Sequence, residues 1–553
     1  MSSRRPCSHW RALSVVAVTV AAVASGACST SEGRSTAAGT PTTQPTTTAP
    51  VACEPDVAQE VGAAPVPGST SDVDITSFDG TRIRAHWFPV GSPTAPSPTV
   101  LMGPGWGMAG DTDVDAVGVL GAVTIATLRN AGYNVLTWDP RGFGASTGQA
   151  TVDSVDHEAR DVQQLLTWVA AQPAALVDGP GDPRSGMVGG SYGGGIQFVT
   201  AAIDCRVDAI VPIIAWHSLV TSLYKAETIK MGWASILVGV ASQASLDPHI
   251  TEATQRAATT GVLSAQDVEW FAARGPGELV KRITAPTMIV GGTVDTLFTL
   301  DEDVTNYRMI TEAGTPTSMY WYCGGHGTCL TDKGDEDRMV RRIVSWLDRW
   351  VKRDSSVEVG PRVDVMDQTG ARYTADDYPM PAGPPIEAAG SGTLQLEADG
   401  GSGPATVPPD KSDVIAGVAG EIIPSPATRA ISIPIPVGRD ALVLGAPQLE
   451  LTYSGTTPPG DRPTRAFAQV VDRAAGIVVG NQITPVPLVL DGAEHSVTVP
   501  LEIIGQAVSP SSQLELQIVA TTTLYATPRL GGTLAVSHAS ISLPTVTGYR
   551  QAR

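Results

Sequence analysis

The stretch that most constrains the fold is MVGGSYGGGIQFVTAA, from Met187 to Ala202. It predicts a short apolar strand, a glycine-rich turn around Ser191 and an apolar helix. The residues beside the serine must be very small, because the backbone of so sharp a turn folds back closely on itself. The pattern Gly-x-Ser-x-Gly therefore makes Ser191 a candidate nucleophile. The backbone N–H of Tyr192 would begin the helix, where an oxyanion is stabilised.

The same pattern occurs a second time, around Ser146, in a chain that contains 58 glycines. That copy follows the turn-rich segment Asp139-Pro140-Arg141-Gly142, so no predicted strand runs straight into the serine. We therefore interpret Ser146 as an ordinary loop residue.

The segments around Ser191 alternate between strand-like and helix-like patterns. Strands are predicted at 75–78, 82–88, 99–102, 133–138, 209–214, 287–292 and 318–322, and helices at 115–131, 154–171 and 339–351. The first two strands meet at Asp79-Gly80, which is a strong hairpin signal. Such alternation predicts a mainly parallel sheet covered by helices, with functional side chains at the carboxyl ends of the strands.

Two of the later strands are each followed by a residue that could complete a catalytic triad. Asp295 follows the strand at 287–292, and His326 lies in CGGHGTC, after the strand at 318–322. A serine hydroxyl needs a base to accept its proton, and the base needs a carboxylate to orient it. The chain order Ser191, Asp295, His326 is the order found on an α/β-hydrolase sheet.

Other residues could fill two of these roles. Asp301 or Asp303 could replace Asp295 as the acid. His326 is favoured over His217 and His157 as the base, because glycines flank it and it follows the last strand.

The loop after the third strand, GPGWG, is where this kind of fold supplies a second oxyanion donor. The backbone N–H of Trp106 is the candidate, and the same loop could equally pack an apolar tryptophan over the site.

Several motifs together resemble the Xaa-Pro dipeptidyl-peptidase (peptidase S15)/cocaine-esterase group of α/β-hydrolases. They are the Asp79-Gly80 hairpin, DPRGFGAS, the helix ending in WVAAQP, GGSYGG, and the late aspartate and histidine. The resemblance runs from about residue 70 to the end and implies the triad Ser191, Asp295 and His326. The group commonly uses a tyrosine hydroxyl after the third strand as an oxyanion donor. GPGWG has no tyrosine, which points to a hole made of two backbone amides.

The pattern changes at about residue 357 to short alternating segments without helical periodicity, at 449–453, 467–471, 497–503, 514–519 and 533–536. This predicts a β-sandwich, and the resemblance implies a C-terminal jelly roll as well as a helical cap over the serine. The predicted domains are a signal peptide (1–27), a Ser/Thr/Pro-rich tether (28–60), an α/β-hydrolase domain (61–356, cap at about 215–285) and a jelly-roll domain (357–553).

The N-terminus has the pattern of an export signal. Arginines precede an apolar run over 12–24, which is too short to span a bilayer comfortably. The small residues before Cys28 resemble a bacterial lipoprotein signal, although Ser25 stands where a larger aliphatic residue is usual. We expect a cell-envelope lipoprotein with its lipid on Cys28, and plain secretion is the alternative.

Cysteine spacing favours the lipoprotein. Cys7 would leave with the signal peptide and Cys28 would carry the lipid, which leaves an even set for two disulfides in an oxidising compartment: Cys53, Cys205, Cys323 and Cys329. Cys323 and Cys329 lie three residues before and three after His326, and we expect them to pair, with Cys53–Cys205 as the second bridge. The alternatives are two unpaired thiols, or pairing of Cys323 with Cys53 or Cys205.

Composition excludes some function classes. A net charge of −19 offers no basic surface for nucleic acid, and 42% apolar with 16% charged residues is typical of a globular protein. No metal-ligand spacing is present, and no cofactor is predicted. The sequence predicts an exported serine hydrolase that cleaves small ester, amide or peptide substrates through an acyl-enzyme, with an esterase favoured. The alternatives are an Xaa-Pro dipeptidyl-peptidase and, in another class, an inactive surface binding protein.

Overall fold

The computed structural model describes residues 71–115, 123–335, 337–406 and 419–552. All of these residues lie in one compact unit. The predicted signal peptide and tether, with Cys28 and Cys53, lie outside them and stay predictions. Within the described ranges, no helix has the length and apolar character that crossing a membrane requires.

The N-terminal part alternates strands with helices, as predicted. Its strands are β1 (Ser71–Thr76), β2 (Arg82–Phe88), β3 (Thr99–Gly103), β4 (Asn134–Trp138), β5 (Val177–Gly179), β6 (Asp182–Pro183), β7 (Ser185–Gly190), β8 (Val207–Ile213), β9 (Thr287–Gly292), β10 (Thr317–Tyr322), β11 (Val363–Met366) and β12 (Arg372–Ala375). Its helices are α1 (Ile125–Asn130), α2 (Glu158–Ala170), α3 (Tyr192–Ile203), α4 (Leu219–Leu223), α5 (Met231–Val240), α6 (Pro248–Thr260), α7 (Ala265–Ala272), α8 (Leu300–Glu312) and α9 (Asp337–Trp350).

One large mixed sheet organises this part, in the order β1-β2-β4-β3-β7-β8-β9-β10-β11-β12, and it confirms the α/β-hydrolase fold. Strands β3, β4 and β7 to β11 are parallel, and β2 runs antiparallel to β4. The parallel strands are buried on both faces, which explains their continuous apolar runs. Their carboxyl ends therefore meet along a single edge of the sheet.

The segment between β8 and β9 is helical, as expected for a cap. It contains α4 to α7, and α5 is apolar along nearly its whole length. Trp216 and Trp233 from this segment pack with Tyr192, the first residue of α3. The cap therefore covers the end of the sheet at which Ser191 lies.

The C-terminal part, from residue 386 onward, is all-β, and we call it the β region. Its strands are β13 (Ile386–Gln395), β14 (Ile431–Ile435), β15 (Ala441–Gly445), β16 (Gln448–Thr456), β17 (Arg465–Asp472), β18 (Ile477–Pro487), β19 (His495–Pro500), β20 (Ile504–Val508), β21 (Leu514–Val519), β22 (Thr533–Leu543), β23 (Thr545–Val546) and β24 (Arg550–Ala552). Two four-stranded sheets, β13-β22-β16-β19 and β14-β21-β17-β18, contribute to one apolar core. The finer prediction of a jelly-roll topology stays a prediction.

The two parts share backbone hydrogen bonds. Strands β11 and β12 continue the hydrolase sheet past residue 356, and β24 pairs with β12 at the far end of the chain. The proposed domain boundary at 357 stays a prediction, although the central sheet extends across it.

Candidate active site

Ser191 lies where β7 ends and α3 begins, in a segment that we call the serine turn (residues 189–195). Its φ of 56° and ψ of −118° are strained for a residue with a side chain. The strain is held in place because the Ser191 N–H donates to the Ile213 carbonyl at 2.9 Å and its carbonyl accepts from Gly195 at 2.9 Å. This is the geometry of a nucleophile turn above a hydrolase sheet.

Glycines are required in this turn by close packing of backbone against backbone. A Cβ on Gly189 would lie 2.7 Å from the Gly103 carbonyl oxygen, and one on Gly193 would overlap that same oxygen. Strand β3 and helix α3 can therefore approach β7 only if these positions lack side chains.

Ser191, His326 and Asp295 form one continuous line of hydrogen bonds. The Nε2 atom of His326 lies 2.8 Å from the Ser191 Oγ, and its Nδ1 lies 2.7 Å from Asp295 Oδ2. The backbone N–H of His326 donates to the same Oδ2 at 2.9 Å. The structure thus brings together the three residues that the sequence selected, while their catalytic roles stay predictions.

The other candidates have different partners. Asp301 Oδ2 accepts the Ile503 N–H at 3.0 Å, and Asp303 is buried behind Gly291. The ring of His217 lies 2.8 Å from the side-chain oxygen of Asn306.

His157 and Ser146 also have structural positions of their own. His157 stands at the N-cap of α2. The Ser146 hydroxyl donates to the Asp139 carbonyl at 2.6 Å and accepts from the Arg84 N–H at 2.8 Å. This supports the interpretation of Ser146 as a structural loop residue.

Asp295 begins the acid loop (residues 293–299), which is organised around its carboxylate. Its Oδ1 accepts the N–H groups of Leu297 at 2.9 Å and Phe298 at 2.8 Å. The ammonium of Lys230, just before α5, donates to the carbonyls of Thr296 and Leu297 at 2.9 and 3.1 Å. Burial lowers the pKa of Lys230 from its ordinary value. The cap is therefore bonded directly to the loop that carries Asp295.

His326 lies in the histidine loop (residues 323–329), which is closed by the predicted disulfide between Cys323 and Cys329. Gly325 has a φ of 118°, and a Cβ there would lie 2.6 Å from the Cβ of Asp295. The loop thus packs closely on the acid loop, and its glycines serve close approach. Cys205 is also disulfide-bonded, and Cys53, its predicted partner, lies outside the described part of the chain.

Two site contacts come from β18, a strand that the sequence patterns did not identify. The Gln482 side-chain amide donates to the Asp295 carbonyl at 2.7 Å, and the Asn481 amide donates to the Thr328 carbonyl at 3.0 Å. The polar pair Asn481-Gln482 interrupts an apolar run, and that interruption was the available sequence signal.

A cavity that is partly open to solvent lies between Ser191 and the cap. Its wall is almost wholly apolar and consists of Trp106, Val152, Ser191, Tyr192, Trp216, Leu219, Leu223, Ile229, Ala234, Leu237, Val238, Ile250, Thr254, Leu263, Phe271 and Phe298. These lining residues include no charged side chain. Elsewhere in the described ranges, no cluster of three or more His, Cys, Asp or Glu side chains could hold a metal ion.

Both predicted oxyanion donors border this cavity. Tyr192 is the first residue of α3, so its backbone N–H has no acceptor within the helix. The Trp106 ring packs edge-on against Tyr192 at 5.2 Å, and its indole N–H donates to the Leu237 carbonyl at 3.0 Å. Trp106 is therefore a packing residue that bridges to the cap, and the role of its backbone N–H stays a prediction.

The fold is that of an α/β-hydrolase, and Ser191, His326 and Asp295 have the arrangement of a Ser-His-Asp triad. Residues 79–328 match the family X-Pro dipeptidyl-peptidase (S15 family), which confirms the predicted resemblance to the S15/cocaine-esterase group. The crystal structure of a CocE/NonD family hydrolase from Staphylococcus aureus is similar in fold, with a TM-score of 0.62 and 14% identity. That similarity covers 86% of this chain and 93% of the other.

Curated relatives match only the region around the site. A polyketide transferase, grgF, from a Penicillium species is 28% identical over 144 residues, which are 26% of this chain and 44% of that protein. A polyketide transferase from Gibberella fujikuroi is 27% identical over 135 residues, 24% of this chain and 37% of that protein. The chain thus spans less than half the length of these relatives.

Proposed function

We propose that this chain is an exported serine hydrolase that cleaves esters of apolar carboxylic acids through an acyl-enzyme. One observation carries the proposal: the hydrogen-bonded line Ser191–His326–Asp295 opens into a cavity with an apolar wall and no charged lining residue. The line supplies a nucleophile and its base, and the wall suits an uncharged, apolar acyl group.

In the first half of the reaction, the Ser191 oxygen attacks the ester carbonyl and its proton passes to His326 Nε2. The Asp295 carboxylate, 2.7 Å from Nδ1, orients the imidazole and stabilises the imidazolium that forms. The backbone N–H groups of Tyr192 and Trp106 hold the oxyanion. The imidazolium then gives its proton to the departing alcohol.

In the second half, water attacks the acyl group on Ser191 while His326 accepts the water proton. The second oxyanion then collapses and breaks the bond between the Ser191 Oγ and the acyl carbon. The His326 imidazolium gives its proton to that Oγ, and the carboxylic acid leaves. The side chains of Trp233 and Phe298 pack edge-on against the His326 ring, at centroid distances of 5.7 and 5.1 Å. They limit the ring to orientations that serve both steps.

An esterase fits the cavity better than an Xaa-Pro dipeptidyl-peptidase does. A dipeptidyl-peptidase has to bind the ammonium group of its substrate, and a buried ammonium needs a carboxylate partner. The described residues that line the cavity provide none.

Hydrolysis of a panel of substrates by the purified protein tests the proposal. We expect turnover of p-nitrophenyl esters that rises from acetyl to medium-length acyl chains, and little release from Xaa-Pro amides. A strong preference for Xaa-Pro amides would instead establish the peptidase. No turnover or covalent labelling by any acyl compound would favour an inactive binding protein.

The location outside the cell is a further part of the proposal and rests on the basic and apolar N-terminal pattern. Cell fractionation of a Cys28→Ala variant tests it, because loss of a lipid on Cys28 should move the protein from the membrane fraction to the medium. A wild-type protein found only in the culture fluid would exclude the anchor, and one found only in the cytoplasm would exclude export.

A further inference from the structure

Strand β18 departs from regular pairing at the point nearest the site. It pairs with β17 through Gln469↔Ile483 and again through Val471↔Val478, so that residues 479–482 stand opposite Val470 alone. We call this segment the β18 bulge. A bulge of this size bends the strand and re-aims its side chains, and bulges are common beside functional sites.

Two buried amide side chains of the β18 bulge, Asn481 and Gln482, hydrogen-bond to the histidine loop and the acid loop. Gln482, 5% exposed, donates to the carbonyl of Asp295 itself, and Asn481, 0% exposed, donates to the Thr328 carbonyl in the histidine loop. Asn481 has a φ of 53°, a conformation that costs free energy for any residue except glycine and is best tolerated by asparagine and aspartate. The strained backbone conformation therefore occurs at the residue whose side-chain amide reaches the histidine loop.

A further hydrogen bond fixes the bulge itself. The Gly480 N–H donates to the side-chain oxygen of Gln368 at 2.7 Å, just beyond β11. Since β11 pairs with β10, which leads into the histidine loop, this bond ties the bulge back to the hydrolase sheet.

We propose that Asn481 and Gln482 are positioning residues, which hold the histidine loop and the acid loop in register so that His326 stays between Ser191 and Asp295. This inference rests on the proposed function, since it assigns the two amides to the same triad. Neither amide touches the Ser191 hydroxyl or lines the cavity. They act on the chemistry only through the loops that they hold, so they should affect turnover more than substrate affinity.

Two substitutions remove the amides with little other change. Asn481→Gly keeps the positive φ and removes only the side chain, and Gln482→Met keeps nearly the same length and volume without a donor. Gln469→Met is the matched control: Gln469 is 1% exposed on β17 and bonds to Ser425 and Gln517, within the β region.

The test compares kcat, KM, fluorophosphonate labelling rate and Tm for these full-length variants on the best ester. We expect kcat and labelling rate to fall about tenfold for each single variant and about a hundredfold for the double variant, because small displacements of a reacting group are costly. KM should stay within about twofold, as the apolar wall is untouched. Gln469→Met should lower Tm by a similar amount and leave kcat unchanged.

Unchanged kcat in both bulge variants, or an equal fall in the Gln469→Met control, would overturn the positioning role. Either result, together with an inactive Ser191→Ala variant, would reject the positioning role of Asn481 and Gln482 and leave the hydrolase proposal intact. Full activity of Ser191→Ala would overturn the proposed function and with it any role of the bulge in catalysis.

Discussion

The serine turn and the histidine loop are both rich in glycine, but they are held in place in different ways. The serine turn is fixed by short-range packing and backbone hydrogen bonds within one strand–turn–helix unit of the central sheet. The histidine loop is fixed by connections from outside: the Cys323–Cys329 disulfide, close packing on the acid loop and the Asn481 amide from the β region.

This difference indicates a division of labour. The nucleophile needs one strained conformation, which neighbouring residues can enforce. The base, His326, must accept a proton from Ser191 and give it to the departing alcohol, and its ring must be aligned with both groups. Its position therefore depends on contacts from several elements. We therefore expect changes in the serine turn to abolish chemistry or folding, and changes around the histidine loop to reduce turnover in a folded protein.

The largest expected effect separates the two serines that share the Gly-x-Ser-x-Gly pattern. Ser191→Ala should lower kcat on the best ester by about 10⁴-fold or more, as removal of a triad nucleophile does. Ser146→Ala should leave kcat nearly unchanged, with a stability loss of about 1 kcal/mol from its two hydrogen bonds. Steady-state kinetics and thermal melts measure both, and an exchange of the two results would disprove the site.

A methyl group in the serine turn should damage folding. Gly193→Ala places a Cβ against the Gly103 carbonyl oxygen and should cost about 3 kcal/mol or more, because backbone cannot move aside as a side chain can. Gly239→Ala in α5 is the control, since a Cβ there meets nothing within 4 Å. That control should be neutral or slightly stabilising. Equal denaturant midpoints for the two variants would contradict the close packing assigned to the turn.

Loss of the disulfide should affect turnover while the protein stays folded. A Cys323→Ser, Cys329→Ser double variant should lose roughly 2 kcal/mol of stability for so short a loop, and its kcat should fall about tenfold with KM little changed. Urea unfolding and steady-state kinetics measure the two effects. A rise in KM at constant kcat would show that the loop shapes the binding cavity instead.

The smallest expected effect concerns pH at the junction with the β region. Burial and the neighbouring Glu502 carboxylate raise the pKa of Asp301 to about 7. An acid whose pKa is raised by folding favours the folded state while it is protonated. The contribution of Asp301 to the free energy of unfolding is therefore full below about pH 4 and is lost as pH rises towards 7. Since the Asp301 side chain is 34% exposed, solvent should keep the effect to a few degrees of Tm.

Asp301→Asn keeps an acceptor for the Ile503 N–H and removes the charge. The difference in Tm between this variant and the wild type should therefore grow in favour of the variant from pH 4 to pH 7. A difference that is constant across this range would contradict the raised pKa.

The sequence predicted the parts of the site that depend on local patterns. Strand β9 was predicted with its observed bounds, and Ser191, Asp295 and His326 follow the strands expected to carry them, because apolar runs and glycine turns determine local structure. Helix α1, Ile125–Asn130, lies within the helix predicted at 115–131, of which residues 116–122 lie outside the described ranges.

Long-range contacts could not be predicted in the same way. Lys230 lies 66 residues from Thr296, whose carbonyl it binds, and Gln482 lies 187 residues from Asp295. Nothing in the residues near either position specifies its partner, since the contacts exist only after the cap and the β region have packed on the sheet. The polar pair Asn481-Gln482 indicates an irregular strand, but the residues to which these side chains bond are determined by tertiary packing.

The most direct test of the account is the site at which an acyl-enzyme mimic attaches. Purified protein treated with a fluorophosphonate and digested should give a single adduct, on the peptide that contains Ser191. The adduct should be absent in Ser191→Ala and form far more slowly in His326→Ala, because the hydroxyl then lacks its base. An adduct on any other residue, or undiminished labelling of Ser191→Ala, would contradict the account.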